Sequence, residues 1–128
     1  MIAKTIKYKD FNGVEREEKF FFNLTKAEIT EMELSTSGGL AENIKQIVDA
    51  QDTPQIIKIF KELILKSYGE KSIDGKRFRK VDENGTPLSL AFSETEAYSN
   101  LFMELATDDV KAAEFVNGII PSELIEKK

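Results

Sequence analysis

The stretch "IAKTIKYKDFNGVEREEKFFF" (Ile2–Phe22) decides how the chain begins to fold. Residues 2–9 and 14–22 read as two strands joined at Asp10-Phe11-Asn12-Gly13. A two-residue Asn-Gly turn would set Lys9 opposite Arg16 and Ile6 opposite Lys19, a poor match in charge and in polarity. A three-residue loop, Phe11-Asn12-Gly13 with Gly13 left-handed, pairs Asp10 with Val14 instead. Lys7 then faces Glu17, Lys9 faces Glu15 and Ile2 faces Phe22, so this register is expected. Phe20-Phe21-Phe22 puts aromatics on both faces of the second strand. Phe20 and Phe22 are expected in the core, with Phe21 facing a helix or a partner.

Helices should follow the hairpin. Thr25 and Glu28 form a capping box, and Leu24 can staple to Ile29. Ser35-Thr36-Ser37-Gly38-Gly39 breaks the chain, and Leu40, Ile44, Ile47 and Val48 make a helical stripe ending near Ala50. Thr53-Pro54 opens another helix, with Ile56, Ile57, Phe60, Leu63, Ile64 and Tyr68 on its buried face. Lys76–Val81 reads as a short strand or extended segment, Asp82–Gly85 as a turn, and Leu88–Phe92 as extended and apolar. Ser93 with Glu96 makes a second capping box ahead of the stripe Ala97, Tyr98, Leu101, Phe102 and Leu105. Thr107 caps a last helix that Gly118 ends and Pro121 keeps from resuming. The expected class is α+β: an N-terminal β-hairpin followed by a mostly α-helical region of four to five helices, all in one domain over residues 1–128.

"SYGEKSIDGKRF" (Ser67–Phe78) raises the question of phosphate binding, because Gly69, Lys71 and Ser72 look like part of a nucleotide-binding loop. Such a loop follows a strand and precedes a helix, so that backbone N–H groups face the phosphates. Here a helix runs into Gly69, its carbonyl end points at the loop, and the first glycine of the motif is missing. We read Gly69 as a helix C-cap followed by a turn at Asp74-Gly75.

The chain of 128 residues carries a net charge of −5, and the charge is segregated. Residues 58–81 hold eight Lys/Arg against three acids, a net +5, and residues 82–128 hold three Lys against ten acids, a net −7. Within the basic block, Lys76, Arg77, Arg79 and Lys80 around Phe78 are the candidate nucleic-acid contacts, cations for phosphates and a ring for a base. The acidic balance of the whole argues against that reading. Alternation along an extended segment gives the simpler reading, in which Phe78 anchors an edge whose lysines discourage aggregation. Glu104, Asp108, Asp109 and Glu114 offer oxygen ligands but no calcium-loop spacing, and helix-start acids explain the aspartates more simply.

No His and no Cys occur, which removes soft metal sites, thiol nucleophiles and imidazole acid–base chemistry. No cofactor is expected, and no apolar run is long enough to span a bilayer. Phe115, Ile119, Ile120, Leu124 and Ile125 crowd the C-terminus around Gly118 and Pro121. That cluster either caps the core or forms a partner-facing patch.

Three segments together, "FFFNLTKAEITEMELS" (Phe20–Ser35), "YGEKSIDGKRFRK" (Tyr68–Lys80) and "FSETEAYSNLFMELATDDVKAAEFVNGIIP" (Phe92–Pro121), resemble tail assembly chaperones of long-tailed, siphovirus-type phages of Gram-positive bacteria. The resemblance runs over most of the chain in order, with residues 82–91 matched least. It implies a non-enzymatic protein of the infected host's cytoplasm, absent from the mature virion. Such a protein binds the tape measure protein, keeps it soluble and recruits the major tail tube protein, with self-association open. On that reading the partner-binding residues expected here are Phe115, Ile119, Ile120 and Leu124, helped by Lys76, Arg77 and Arg79. The alternative is a small nucleic-acid-binding phage regulator using residues 76–80.

Overall fold

The computed structural model describes residues 1–35 and 53–120. The helix expected over Leu40–Ala50, and Leu124 and Ile125 with it, lie outside the described residues. Strands β1 (Ile2–Lys9) and β2 (Glu15–Phe22) form the N-terminal hairpin, followed by α1 (Lys26–Ser35). Next come α2 (Thr53–Ser67), β3 (Tyr68–Lys71), β4 (Phe78–Arg79), α3 (Leu88–Ser93), α4 (Glu96–Thr107) and α5 (Asp109–Ile119). The class is α+β, with five helices among the described residues.

The hairpin has the register that charge and polarity favour. Lys7 pairs with Glu17, Lys9 with Glu15 and Ile2 with Phe22. The Asp10 N–H donates to the Val14 carbonyl at 2.9 Å, and Gly13 closes the loop at φ 80°. The Asp10 carboxylate accepts from the N–H groups of Asn12 and Val14, so the turn holds itself. The capping box is also present: the Glu28 N–H donates to Thr25 Oγ1 at 3.2 Å, and the Thr25 N–H donates to Glu28 Oε1 at 2.9 Å.

The hairpin is part of a four-stranded antiparallel sheet in the order β1-β2-β3-β4, in which β4 lies within the short strand or extended segment read over Lys76–Val81 and β3 was not expected. Its third strand corrects the reading of Gly69. α2 passes directly into β3, where Gly69 pairs with Phe21 and Tyr68 with Phe22. Gly69 is therefore a strand residue and not a helix cap. A Cβ there would stand 2.5 Å from both the Arg79 carbonyl oxygen and the Phe78 ring, so close backbone approach accounts for the glycine. The turn at Asp74-Gly75 is as expected, with Gly75 at φ 77°. Gly118 likewise does not stop a helix. It lies within α5, where a Cβ would meet the Ile2 side chain at 2.8 Å.

Three smaller expectations are corrected too. Leu88–Ser93 is a helix rather than an extended run, and it carries Phe92 into the core. Thr95, not Ser93, caps α4 by accepting from the Tyr98 N–H. Asp108, not Thr107, caps α5 by accepting from the N–H groups of Val110 and Lys111. In both helices the cap lies one or two residues past the position read from sequence, and a neighbouring hydroxyl bonds back instead. Ser93 Oγ donates to the Leu90 carbonyl and Thr107 Oγ1 to the Met103 carbonyl.

An aromatic cluster joins sheet to helices. The Phe92 ring stacks on Tyr68 with centroids 4.3 Å apart and meets Phe22 edge-on at 5.8 Å. Phe22 in turn meets Phe115 at 5.3 Å. Phe22 is buried and Phe20 half-buried against this cluster, as expected, while Phe21 lies on the other face of the sheet. Helix α4 lies against β1, where Asn100 Nδ2 donates to the Lys7 carbonyl at 3.1 Å and Lys4 pairs with Glu104 at 3.4 Å. The C-terminal end of α5 is tied in by the Leu24 N–H, which donates to the Ile119 carbonyl at 2.9 Å.

Candidate functional site

Of the residues expected to meet a partner, Phe115 and Ile119 are core: they are 1% and 0% exposed. The reason is the long reach of β1 and β2 across the chain. Ile2 packs on Gly118, Phe22 meets the Phe115 ring, and the chain entering α1 bonds the end of α5. Of the two fates open to this cluster, Phe115 and Ile119 take the core. Ile120 is half-buried against that core, and Leu124 lies outside the described residues.

The basic run does not form one patch. Lys76 and Arg77 are exposed on the β3–β4 turn, where the Arg77 N–H donates to Ser72 Oγ. Arg79 lies 3.9 Å from Glu70 across the strand pair. Lys80 leaves the run altogether. Its Nζ donates to Glu28 Oε2 at 2.8 Å and to the Lys66 carbonyl at 2.5 Å, and it sits 5.7 Å from the centroid of Phe78. Nothing brings the four cations to one groove with an exposed aromatic between them. Glu104, Asp108 and Glu114 are equally dispersed: Glu104 pairs with Lys4 and Lys111, and Asp108 is spent on capping.

The Lys80 ammonium instead points to a groove that sequence reading missed. Among the described residues, the groove, of about 710 Å³, lies open between α1, α2 and the segment that joins β4 to α3. Its apolar lining comes from Leu24 and Met32 on the α1 side, Leu65 and Tyr68 on the α2 side, and Val81 and Pro87 at one end. The charged lining is divided between the helices. α1 contributes Glu28 and Glu31, whereas α2 contributes Lys58, Lys61 and Lys66 against the single acid Glu62. These spacings follow from the helical repeat: residues 28, 31 and 32, like 58, 61, 62 and 65, fall on one face. The opposite face of α2 carries Phe60, Leu63 and Ile64 into the core. The outward face of α2, basic with Leu65 in its midst, was the one signal in the sequence that pointed here.

Glu28 ties the two walls together. Burial alone would raise its carboxyl pKa, but hydrogen bonds from Lys80 and Thr25 outweigh that and hold it below the usual carboxylate range. On the groove floor, burial raises the Tyr68 phenol above its usual value, so it is neutral near pH 7. No three acidic side chains converge to hold a metal among the described residues. The arrangement can receive an apolar surface and sort it by charge at the rim.

A family model described as phage tail assembly chaperone matches residues 1–128. The chain belongs to the phage tail assembly chaperones. It is thus a member of a family of chaperones rather than of enzymes. No match is found among curated proteins or among solved structures. None of the described helices is long and apolar enough to cross a membrane.

Proposed function

We propose that this tail assembly chaperone binds the tape measure protein of a long-tailed, siphovirus-type phage. It keeps that long helical protein soluble and helps to gather major tail tube subunits around it. It works in the cytoplasm of the infected Gram-positive host, without catalysis or cofactor, and is absent from the finished virion. Family membership over the whole chain supports the tail-assembly part of this reading. The observation that carries the client-binding part is the open groove between α1 and α2, apolar within and charged at the rim. Long helices that await assembly expose apolar stripes, and covering one removes its tendency to aggregate.

Ile120, half-buried at the end of α5, and the exposed Lys76 and Arg77 are secondary contacts in this proposal. Arg79, held near Glu70, is a third. Phe115 and Ile119 serve it indirectly, by fixing the core under the groove. The test is co-expression with the tape measure protein encoded in the same phage genome. Soluble tape measure protein that co-purifies with this chain is the expected result. Tape measure protein equally insoluble with and without it would refute the reading.

A further inference from the structure

We propose that the groove takes a single α-helix of a partner protein, its apolar stripe on Met32, Leu65 and Tyr68 and its flanks oppositely charged. Acids lie on the flank toward α2 and bases on the flank toward α1. The proposal rests on the client-binding reading above and adds the chemistry of the segment that is bound.

Backbone chemistry decides for a helix. Two of the groove's walls are helices, whose backbone groups bond within themselves, and in the third Val81 is already bridged to Pro87. A strand laid in it would leave its own N–H and C=O groups without partners, whereas a helix brings them already paired. A small polar ligand fits poorly, since among the described residues no buried side-chain polar atom is left without a hydrogen-bond partner to receive it. A nucleic acid would meet the carboxylates of Glu28, Glu31 and Glu62 along the rim.

Charge complementarity sets the flanks. Lys58 and Lys61, one turn apart on α2, pair with no carboxylate among the described residues. Acids spaced one turn apart on a bound helix would meet both. Across the groove Glu28 is held by Lys80, which leaves Glu31 to receive a base. Such pairing contributes more to selection than to raw affinity, so the apolar stripe binds and the flanks choose.

The test uses three synthetic helical peptides sharing one leucine stripe. One has glutamates on one flank and lysines on the other, the second has lysines on both, and the third has glutamates on both. Fluorescence anisotropy should show the mixed peptide binding at least about tenfold more tightly than the all-lysine one, a factor that a couple of ion pairs can supply. Lys58→Glu with Lys61→Glu, both on the exposed face of α2, should reverse that order without lowering the unfolding temperature, and Leu65→Ser should weaken all three. Binding indifferent to the charge reversal, or absent for every peptide, overturns the proposal. So does a dimer that Leu65→Ser dissolves, which would give the groove to a second copy. If wild-type chain solubilises the tape measure protein and the double variant does so equally well, the groove assignment fails while the chaperone reading stands.

Discussion

A Cβ built at Gly69 would stand 2.5 Å from the Arg79 carbonyl oxygen, and a backbone carbonyl cannot swing aside as a side chain can. Gly69→Ala therefore forces β3 and β4 apart or displaces the Phe78 ring. The expected cost is about 1–3 kcal/mol, read as a lower urea midpoint at unchanged slope. An unchanged midpoint would mean that the strand pair is looser than described. Phe115 makes the opposite case, a large side chain wholly enclosed beside Phe22. Phe115→Ala should cost about 3–5 kcal/mol, and any loss of client binding should follow the loss of fold. Normal stability with lost binding would return Phe115 to the surface patch that its place near the C-terminus first implied. Both residues show where sequence is ambiguous. Glycine punctuates a chain but also permits close approach, and a terminal apolar cluster is bare only if nothing distant covers it.

At the scale of elements, the hairpin was legible because its two strands carry their own instructions. Opposite charges at Lys7–Glu17 and Lys9–Glu15 and the apolar pair Ile2–Phe22 agree on one register. The capping box at Thr25 was legible for the same reason, since both partners lie within one turn. β3 was not. Tyr68 continues the apolar stripe of α2, and only pairing with Phe21 and Phe22, some 46 residues earlier, turns it into a strand. Leu88–Ser93 is too short for its period to tell helix from strand. The link between α1 and the β4–α3 segment is testable by pH. The Glu28 carboxyl is depressed in the folded chain, so its ion pair with Lys80 stabilises fully above the ordinary carboxylate value of 4.5. That stabilisation is lost as pH falls through the lower folded value. Glu28→Gln should unfold at a lower temperature than wild type at pH 7, and the gap should close toward pH 3. A gap that persists undiminished in acid would assign the effect to packing and not to charge.

For the molecule as a whole, the class and the order of elements could be read from local patterns, but the groove could not. Its lining comes from residues 24–32, 58–68, 80–81 and 87–89, which the fold alone brings together. The sequence showed a basic run at residues 76–80. The fold spends Lys80 on Glu28, places Arg79 near Glu70 and leaves the rest on a turn. Lys80 of the basic block is thus met by Glu28 from α1, and Arg79 by Glu70 of the same block. The most direct measurement is amide chemical-shift mapping of ¹⁵N-labelled chain titrated with a soluble helical fragment of the tape measure protein. The account predicts that the largest shifts cluster at Glu31, Met32, Lys58, Lys61 and Leu65, with smaller ones at the secondary contacts Lys76, Arg77 and Ile120. Shifts confined to the β3–β4 turn or to Ile120, with the groove silent, would contradict it.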